Sequence, residues 1–265
     1  MGWRSCAVPL VARVGTYMKN ITAVILNYNM DVTNLIKELR NQSVIDEIIV
    51  LENNSETFTH YGNGVCVHEC PEVQQIFLGK EHSFAAANNK GIDIAKNEYV
   101  LLCNNDIWGI SGDLQTSIDM METSDRIKVV GHKILSPDGL LNHAGADFKS
   151  ELGPHDPYHI GLGENPNIPK YNKVREVRTV TFAFVLLKKM KNIRMDEKYW
   201  FVYEDTDYCL TVRKMGYKVY YNPQVCVYHL CGVNKSERMI KDVKFQDSAF
   251  ESSKYFVEKW GRSNL

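Results

Sequence analysis

The sequence feature that most constrains the fold is an alternation of apolar runs and amphipathic segments near the start of the chain. Continuous apolar runs stand at 21–27 (ITAVILN), 47–53 (EIIVLEN) and 98–103 (EYVLLC). Such runs are typical of strands buried on both faces of a parallel sheet. The intervening segments 31–40 and 83–96 carry apolar residues at helical spacing. Repeated β-α-β units predict an α/β fold in which helices cover both faces of a mostly parallel sheet.

The rest of the chain is less regular. Further strand-like segments are found at 65–69, 74–78, 174–189 and 225–229. A helix is predicted at 205–215, with Gly216 at the position of a C-terminal cap. Residues 131–180 are rich in Gly, Pro, Asn and His, and they predict a long irregular insertion of the kind that borders a site. The tail 236–260 is partly amphipathic.

Composition excludes several classes of protein. Hydrophobic residues make up 44% of the 265 residues and charged residues 24%, which argues against a disordered, collagenous or coiled-coil chain. The 31 Lys and Arg residues nearly balance the 32 Asp and Glu residues, so the net charge is −1 and we expect no nucleic acid partner. No apolar run approaches the roughly 20 residues of a membrane-spanning helix.

The cysteines and the first residues bear on location. The seven cysteines are odd in number, and several, such as Cys103 and Cys226, lie in apolar strand-like runs. We therefore expect reduced thiols in a cytoplasmic protein, soluble or attached peripherally to a membrane. Residues 1–17 contain an apolar stretch that Pro9 and Arg13 keep short. We expect a non-core N-terminal extension there, with a signal peptide as the alternative.

Polar residues follow three of the predicted strands. They are Asn27–Tyr28–Asn29, Glu52–Asn53–Asn54–Ser55 and Asn104–Asn105–Asp106. In parallel sheets ligands bind at the carboxyl ends of the strands. Asn also suits turns, so a single cluster would mean little. Three clusters on one sheet edge favour a binding site.

Carboxylates and one histidine could carry chemistry. Asp106 could hold Mg²⁺ or Mn²⁺ with help from other oxygen ligands, or it could cap the next segment. Glu204, Asp205 and Asp207 stand at a helix start, where the helix dipole accounts for one or two of them. Because aromatic residues precede them, a pocket for a sugar ring with one carboxylate as general base is the functional interpretation. His229 is either structural or a metal ligand.

Two rival interpretations are weaker. A zinc site could use one of two sets, Cys66, His68 and Cys70 or Cys226, His229 and Cys231, but their spacings do not match the usual ligand pairs. A dinucleotide-binding dehydrogenase would carry GxGxxG after the first strand, where this chain has NYNMD. No Walker A sequence is present either.

Five motifs between Ile21 and Val233 resemble, in order, those of family 2 inverting glycosyltransferases of GT-A fold, in particular rhamnosyltransferase-like and galactofuranosyltransferase-like members. The motifs are AVILNYN, IIVLENNS, FAAANNKGIDIAKNEYVLLCNND, LNHAGADF and MDEKYWFVYEDTDYCLTVRKMGYKVYYNPQVCVYH. The resemblance implies a single Rossmann-like, mostly parallel sheet flanked by helices, with a small antiparallel element on the acceptor side. It implies one domain over 18–265, made of a nucleotide-sugar half (about 18–110), an acceptor and catalytic half (about 111–235) and a C-terminal helical tail (about 236–265).

The resemblance also implies roles for individual residues. The nucleotide-sugar would contact Asn27, Tyr28, Asn53, Phe84, Asn88, Asn89, Asn104 and Asn105. The acceptor, expected near 145–185 and the aromatic residues 199–203, would contact Thr181, Phe182, Trp200, Tyr203 and Glu204. A divalent metal, Mn²⁺ or Mg²⁺, would bind Asp106 and His229, and Asp205 would be the general base. Asn104 departs from the family, which commonly has Asp at that position.

The implied reaction moves a sugar from a UDP- or dTDP-linked donor to a hydroxyl of a glycan or lipid-linked acceptor, with inversion. Two alternatives remain open. One is a nucleotidyltransferase of related fold, although NYNMDVTN is not the Gly-rich loop of those enzymes. The other is a protein that binds sugar nucleotides or glycans without catalysis.

Overall fold

The core of the fold is a mixed β-sheet. The structure, a computed structural model, describes residues 19–54, 72–149, 157–230 and 243–261. The strands are β1 (Ile21–Asn27), β2 (Ile45–Glu52), β3 (Val73–Phe77), β4 (Tyr99–Asn104), β5 (Ile107–Ser111), β6 (Ile127–Leu135), β7 (Leu141–His143), β8 (Ala146–Phe148), β9 (Pro157–His159), β10 (Arg175–Glu176), β11 (Phe184–Lys188) and β12 (Lys218–His229). The helices are α1 (Thr33–Arg40), α2 (Phe84–Ile94), α3 (Gln115–Glu122), α4 (Glu204–Lys214) and α5 (Val243–Trp260), with a 3₁₀ turn at Pro169–Asn172.

The strand order of the sheet is β10-β12-β6-β11-β4-β1-β2-β3, and β5 and β7 pair with β12 and β6 respectively. β1 pairs in parallel with both β2 and β4, β2 with β3, and β12 with β6, whereas β11 runs antiparallel between β4 and β6. The predicted α/β class with a mostly parallel sheet is therefore confirmed. The predicted strand at 65–69, the extension 1–17 and Cys66, Cys70 and Cys231 lie outside the described residues.

Both faces of the central strands are buried, as their uninterrupted apolar sequence predicts. Along β1, Ala23 and Ile25 belong to a hydrophobic cluster shared with α1 and α3. The intervening Val24 belongs to the cluster on the opposite face, shared with α2 and α4. Successive side chains of a strand point to opposite faces, so an apolar run without polar alternation requires helices on both sides.

Two small residues position α2: Ser83 at its N-terminus and Gly91 where it packs on the sheet. The Ser83 side chain accepts a hydrogen bond from the backbone N–H of Ala86 at 3.1 Å and so caps the N-terminus of α2. A Cβ on Gly91 would lie 2.5 Å from Cγ1 of Val24. The missing side chain of Gly91 therefore permits the close packing of α2 against β1.

The predicted irregular insertion at 131–180 is partly wrong. Its first residues belong to β6, which lies between β12 and β11 in the sheet. Polar residues within β6 interrupt its apolar pattern, so the sequence did not predict a strand there. His132 is fully buried. The burial is tolerated because its Nδ1 donates to the carbonyl of Phe184 at 3.2 Å and its Nε2 accepts from the Ser117 hydroxyl at 2.9 Å.

The rest of that segment contains the predicted small antiparallel element. β8 and β9 form a two-stranded antiparallel sheet in which Ala146 pairs with His159. The last strand is longer than the predicted 225–229, since β12 begins at Lys218. Within the described ranges, no helix combines the length and apolar character that crossing a bilayer requires.

The buried His132 predicts a loss of stability in acid. Burial lowers the pKa of His132 from 6.5 to about 4. Between these values the unfolded state binds a proton that the folded state does not, so the free energy of unfolding decreases as the pH falls from 6.5. The expected loss from this residue is about 3 kcal/mol by pH 4.

Chemical denaturation at pH 7 and pH 4.5 checks this. A His132→Gln variant should show a smaller decrease in unfolding free energy between the two pH values than the unmodified protein. Equal decreases in the two proteins would show that His132 is not a source of the acid sensitivity.

Candidate functional site

A cavity of about 1270 Å³ opens at the carboxyl edge of the parallel strands. The strand register places the described residues of the three polar clusters there together, because Asn27 pairs with Glu52 and Leu26 pairs with Asn104. Ser55 lies outside the described residues. The other walls come from the β8–β9 hairpin, the segment before α4, the end of β12 and one face of α5. The sequence prediction of a site at this edge thus has a matching cavity.

The cavity brings together most of the residues selected from the sequence. Those that line it are Tyr28, Asn53, Phe84, Asn104, Asn105, Asp106, Thr181, Phe182, Trp200, Tyr203, Glu204, Asp205 and His229. Three others, Asn27, Asn88 and Asn89, are buried beside it and do not line it.

Asn27 lies behind the cavity wall and holds Asn105. Its amide nitrogen donates to the Glu52 carboxylate at 3.1 Å and to the Met30 carbonyl at 2.9 Å. Because both partners accept only, the Asn27 amide oxygen must face the other way. That oxygen accepts a hydrogen bond from the Asn105 side chain at 3.0 Å. Asn27 thus fixes the orientation of a residue that does line the cavity.

Asn88 and Asn89 have contacts within the protein. The Asn88 amide donates to the carbonyl of Phe84 at 3.0 Å. Asn89 ties α2 to the segment leading to α4: its amide donates to the carbonyl of Met195 and to Glu197, both at 2.9 Å, and its oxygen accepts from the Met195 N–H at 3.1 Å. Asn89 thereby anchors the chain ahead of Asp205.

The Asn53 side chain is held in place by the backbone of His82, which is distant in sequence and adjacent in space. Its side chain donates to the carbonyl of His82 at 3.0 Å and accepts from the His82 N–H at 2.8 Å. Asn53 therefore joins the end of β2 to the segment before α2, and both Asn53 and His82 line the cavity.

Asp106 and His229 form a pair on the cavity wall. Their Oδ1 and Nε2 atoms are 2.9 Å apart, and the Asn104 amide nitrogen is 3.4 Å from the same Nε2. The backbone keeps these residues adjacent, because β5 pairs with β12 and the Leu230 N–H donates to the Asp106 carbonyl at 3.1 Å.

The pair suits a divalent cation. Neighbouring ligands of an octahedral Mg²⁺ at bond lengths of 2.0–2.1 Å are about 2.9 Å apart, which matches the observed separation and equally fits a hydrogen bond. Carboxylate oxygens suit Mn²⁺ and Mg²⁺, and a neutral imidazole is a common metal ligand. Among the described residues no group of three or more His, Cys, Asp or Glu side chains forms a metal cluster. The described residues would thus provide two ligands to such a cation.

Asp205 is held at the N-terminus of α4. Its Oδ1 accepts from the backbone N–H of Thr206 at 2.6 Å, and its Oδ2 accepts from the Phe182 N–H at 3.4 Å. These donors fix the orientation of a carboxylate that lines the cavity. The Phe182 contact also links the base candidate to the predicted acceptor residues 181–182.

The backbone just before Asp205 is strained. Val202 and Tyr203 have φ angles of 62° and 71°, in the left-handed region that non-glycine residues rarely adopt. Each such residue costs about 1–3 kcal/mol and persists only where surrounding contacts hold it. The Tyr203 ring stacks on the Phe256 ring of α5, with centroids 4.6 Å apart.

The third carboxylate, Asp207, has a structural role. It is almost fully buried and accepts hydrogen bonds from Tyr199 at 3.1 Å and the Trp260 indole at 2.6 Å, and it pairs with Lys259 at 2.9 Å. Asp207 therefore docks α5 onto α4. The sequence predicted that the helix dipole accounts for one or two of the three carboxylates, whereas the contacts of Asp207 hold α5.

Sequence reasoning did not single out several residues that line the cavity: Asn142, Lys149, Tyr158, His159, Leu162, Glu164, Ala249 and Ser253. Most of them lie within 145–185, the region expected near the acceptor. Ala249 and Ser253 lie on α5, and the amphipathic pattern of the tail indicated a helix without indicating which groups it would border.

Comparison with known proteins identifies the family. The family model described as glycosyl transferase family 2 matches residues 22–179. The chain is 24% identical over 230 residues to the dTDP-rhamnosyl transferase RfbF of Shigella flexneri, covering 81% of this chain and 73% of that protein. It is 25% identical over 189 residues to the uncharacterized protein y4gI of Sinorhizobium fredii, covering 69% of this chain but only 21% of that protein.

Solved structures share the fold at low sequence identity. GalNAc-T7, whose crystal structure contains UDP, GalNAc and Mn²⁺, has a TM-score of 0.62 at 11% identity, over 80% of this chain and 44% of that one. S. aureus TarS has a TM-score of 0.53 at 15% identity, over 79% of this chain and 36% of that one. The chain thus spans less than half of each of these proteins. The similarities confirm the predicted GT-A fold.

Proposed function

The chain belongs to glycosyl transferase family 2, and on this premise we propose that it transfers a sugar from a nucleoside diphosphate sugar to an acceptor hydroxyl with inversion at the anomeric carbon. One observation carries the proposal. The Asp205 carboxylate and the Asp106–His229 pair line the same cavity, at the edge where parallel strands bind ligands.

Asp205 acts as the general base. It accepts the proton of the acceptor hydroxyl while the acceptor oxygen bonds to the anomeric carbon. The bond from that carbon to the diphosphate oxygen breaks on the opposite face, and the nucleoside diphosphate leaves. The Phe182 and Thr206 N–H groups hold the carboxylate in place during the proton transfer.

The donor occupies the side of the cavity formed by the parallel strands. Tyr28, Asn53, Phe84, Asn104 and Asn105 line that side. Asp106 and His229 would hold Mn²⁺ or Mg²⁺. When bound, the cation supplies positive charge against the charge that develops on the diphosphate. A UDP- or dTDP-linked donor is favoured, because one relative is named a dTDP-rhamnosyl transferase and one structure of the same fold contains UDP.

The acceptor, a glycan or a lipid-linked glycan, occupies the side formed by Thr181, Phe182, Trp200, Tyr203 and Glu204. Trp200 is 43% exposed and so presents aromatic surface to an incoming ring. The division of 18–265 into donor, acceptor and tail regions, and a cytoplasmic or peripheral membrane location, stay predictions.

A panel of sugar nucleotides tests the function. Purified protein with Mn²⁺ or Mg²⁺ should release nucleoside diphosphate from one UDP- or dTDP-linked sugar, and faster when a suitable acceptor is present. Formation of a sugar nucleotide from a nucleoside triphosphate and a sugar phosphate would indicate a nucleotidyltransferase. Donor binding without turnover of any panel member would indicate a binding protein. Either result would contradict the proposal.

A further inference from the structure

We propose that α5 positions the base: Phe256, stacked on Tyr203, holds the strained turn that places Asp205 in the cavity. The inference rests on the proposed function. It assigns Phe256 as a positioning residue, since its ring contacts the turn and is not among the side chains that line the cavity.

α5 contacts the chain on both sides of Asp205. Two residues before it, the Tyr203 ring lies on Phe256 with centroids 4.6 Å apart and planes 21° from parallel. Two residues after it, Asp207 accepts from the Trp260 indole at 2.6 Å and pairs with Lys259 at 2.9 Å. The base is therefore bracketed by two contacts with one helix.

The segment ahead of the turn is fastened to the same helix. Asp196 accepts a hydrogen bond from the Tyr255 hydroxyl at 2.8 Å and from Lys259 at 2.7 Å. Asn89 holds the neighbouring Met195 from the other side, on α2. The segment leading to Asp205 is thus held by contacts with both α2 and α5. Between these contacts and Asp205, Val202 and Tyr203 have left-handed backbone conformations.

This geometry links α5 to catalysis because Val202 and Tyr203 occupy conformations that only surrounding contacts maintain. Without the Phe256 ring, the turn can relax toward an ordinary backbone and displace Asp205. A displacement of about 1 Å in a catalytic group can reduce the rate about 100-fold. The proposed donor residues lie at the ends of β1, β2 and β4 and at the start of α2, away from α5, so nucleotide binding should be unaffected.

The test compares two Phe→Leu substitutions on the same helix. Phe256 is fully buried against Tyr203, whereas Phe250 is 68% exposed and serves as the matched control. For Phe256→Leu we expect kcat to fall about 10- to 100-fold, with the donor KM and the Kd for the nucleoside diphosphate within twofold. Phe250→Leu should leave kcat, the donor KM and the Kd unchanged.

Hydrogen exchange supplies a readout independent of turnover. Phe256→Leu should speed exchange in peptides covering 200–207, where the Asp207 N–H donates to the Tyr203 carbonyl at 2.8 Å, and leave β1 and β4 unchanged. If Phe256→Leu does not fold, Trp260→Phe removes the indole donor to Asp207 together with part of the buried ring. It should lower kcat several-fold at constant donor KM, and an unchanged kcat would overturn the positioning role of α5.

The outcomes separate the two proposals. A wild-type protein that turns over no sugar nucleotide overturns the proposed function, and this inference with it. Active wild-type protein with equal kcat for Phe256→Leu and Phe250→Leu overturns the positioning role alone. Faster exchange throughout the sheet, with donor KM raised as kcat falls, would show a general structural role and would also overturn it.

Discussion

Replacing Asp205 with Asn should reduce sugar transfer about 10²- to 10⁴-fold while donor binding persists. Asn is similar in shape and can keep one accepting oxygen, but it cannot take the proton of the acceptor hydroxyl. General bases contribute about 10²- to 10⁴-fold, so kcat should fall by that amount. Turnover is measured as nucleoside diphosphate release with acceptor, and donor binding by calorimetry.

Asp119→Asn is the matched control for this substitution. Asp119 lies on the exposed surface of α3 and accepts from the Gln115 side chain. That variant should retain full activity. Near-normal turnover of Asp205→Asn would refute the assignment of the base, whereas loss of both turnover and donor binding would indicate a disrupted cavity.

The second large effect concerns the Asp106–His229 pair. Asp106→Ala should weaken Mn²⁺-dependent binding of the nucleoside diphosphate at least about tenfold, because it would remove one of the two ligands proposed among the described residues. His229→Ala should have a comparable effect. Calorimetric titration with and without Mn²⁺ measures the difference, and the affinity in chelator should be similar for the wild type and both variants.

A double variant tests whether Asp106 and His229 bind the same ion. If both side chains hold one ion, Asp106→Ala combined with His229→Ala should lose less than the two single losses added together, since neighbouring groups with a shared partner are coupled. Asp119→Ala controls for the loss of a surface carboxylate. Nucleotide affinity that is the same with and without Mn²⁺, or unchanged in Asp106→Ala, would refute the metal site.

The roles assigned from the sequence depended on how each side chain points. Asp106, His229 and Asp205 follow strands or begin a helix, and the fold brings all three to one cavity. Asn27 also ends a strand, but Glu52 and Met30 take its amide nitrogen and turn its oxygen toward Asn105. A strand position predicts the edge of a sheet. Which way an amide points depends on partners distant in sequence.

The error at 131–180 has a related cause. His132 and Lys133 interrupt the apolar pattern of β6, so the segment does not look like a buried strand. The structure satisfies His132 with Ser117 on α3 and Phe184 on β11, two elements that the local sequence does not reveal. Buried polar residues are tolerated where tertiary partners accept or donate, and local pattern cannot register those partners.

The sequence by itself determined the α/β class, the parallel strands β1, β2 and β4, and the family. These follow from apolar periodicity and from motif order, which are local properties of the chain. Only the tertiary structure decided that Asn27 and Asn89 brace the cavity from behind, that Asp207 docks a helix, and that α5 borders Asp205. Those assignments depend on contacts between residues far apart in the chain, which form only when the sheet and its helices pack together.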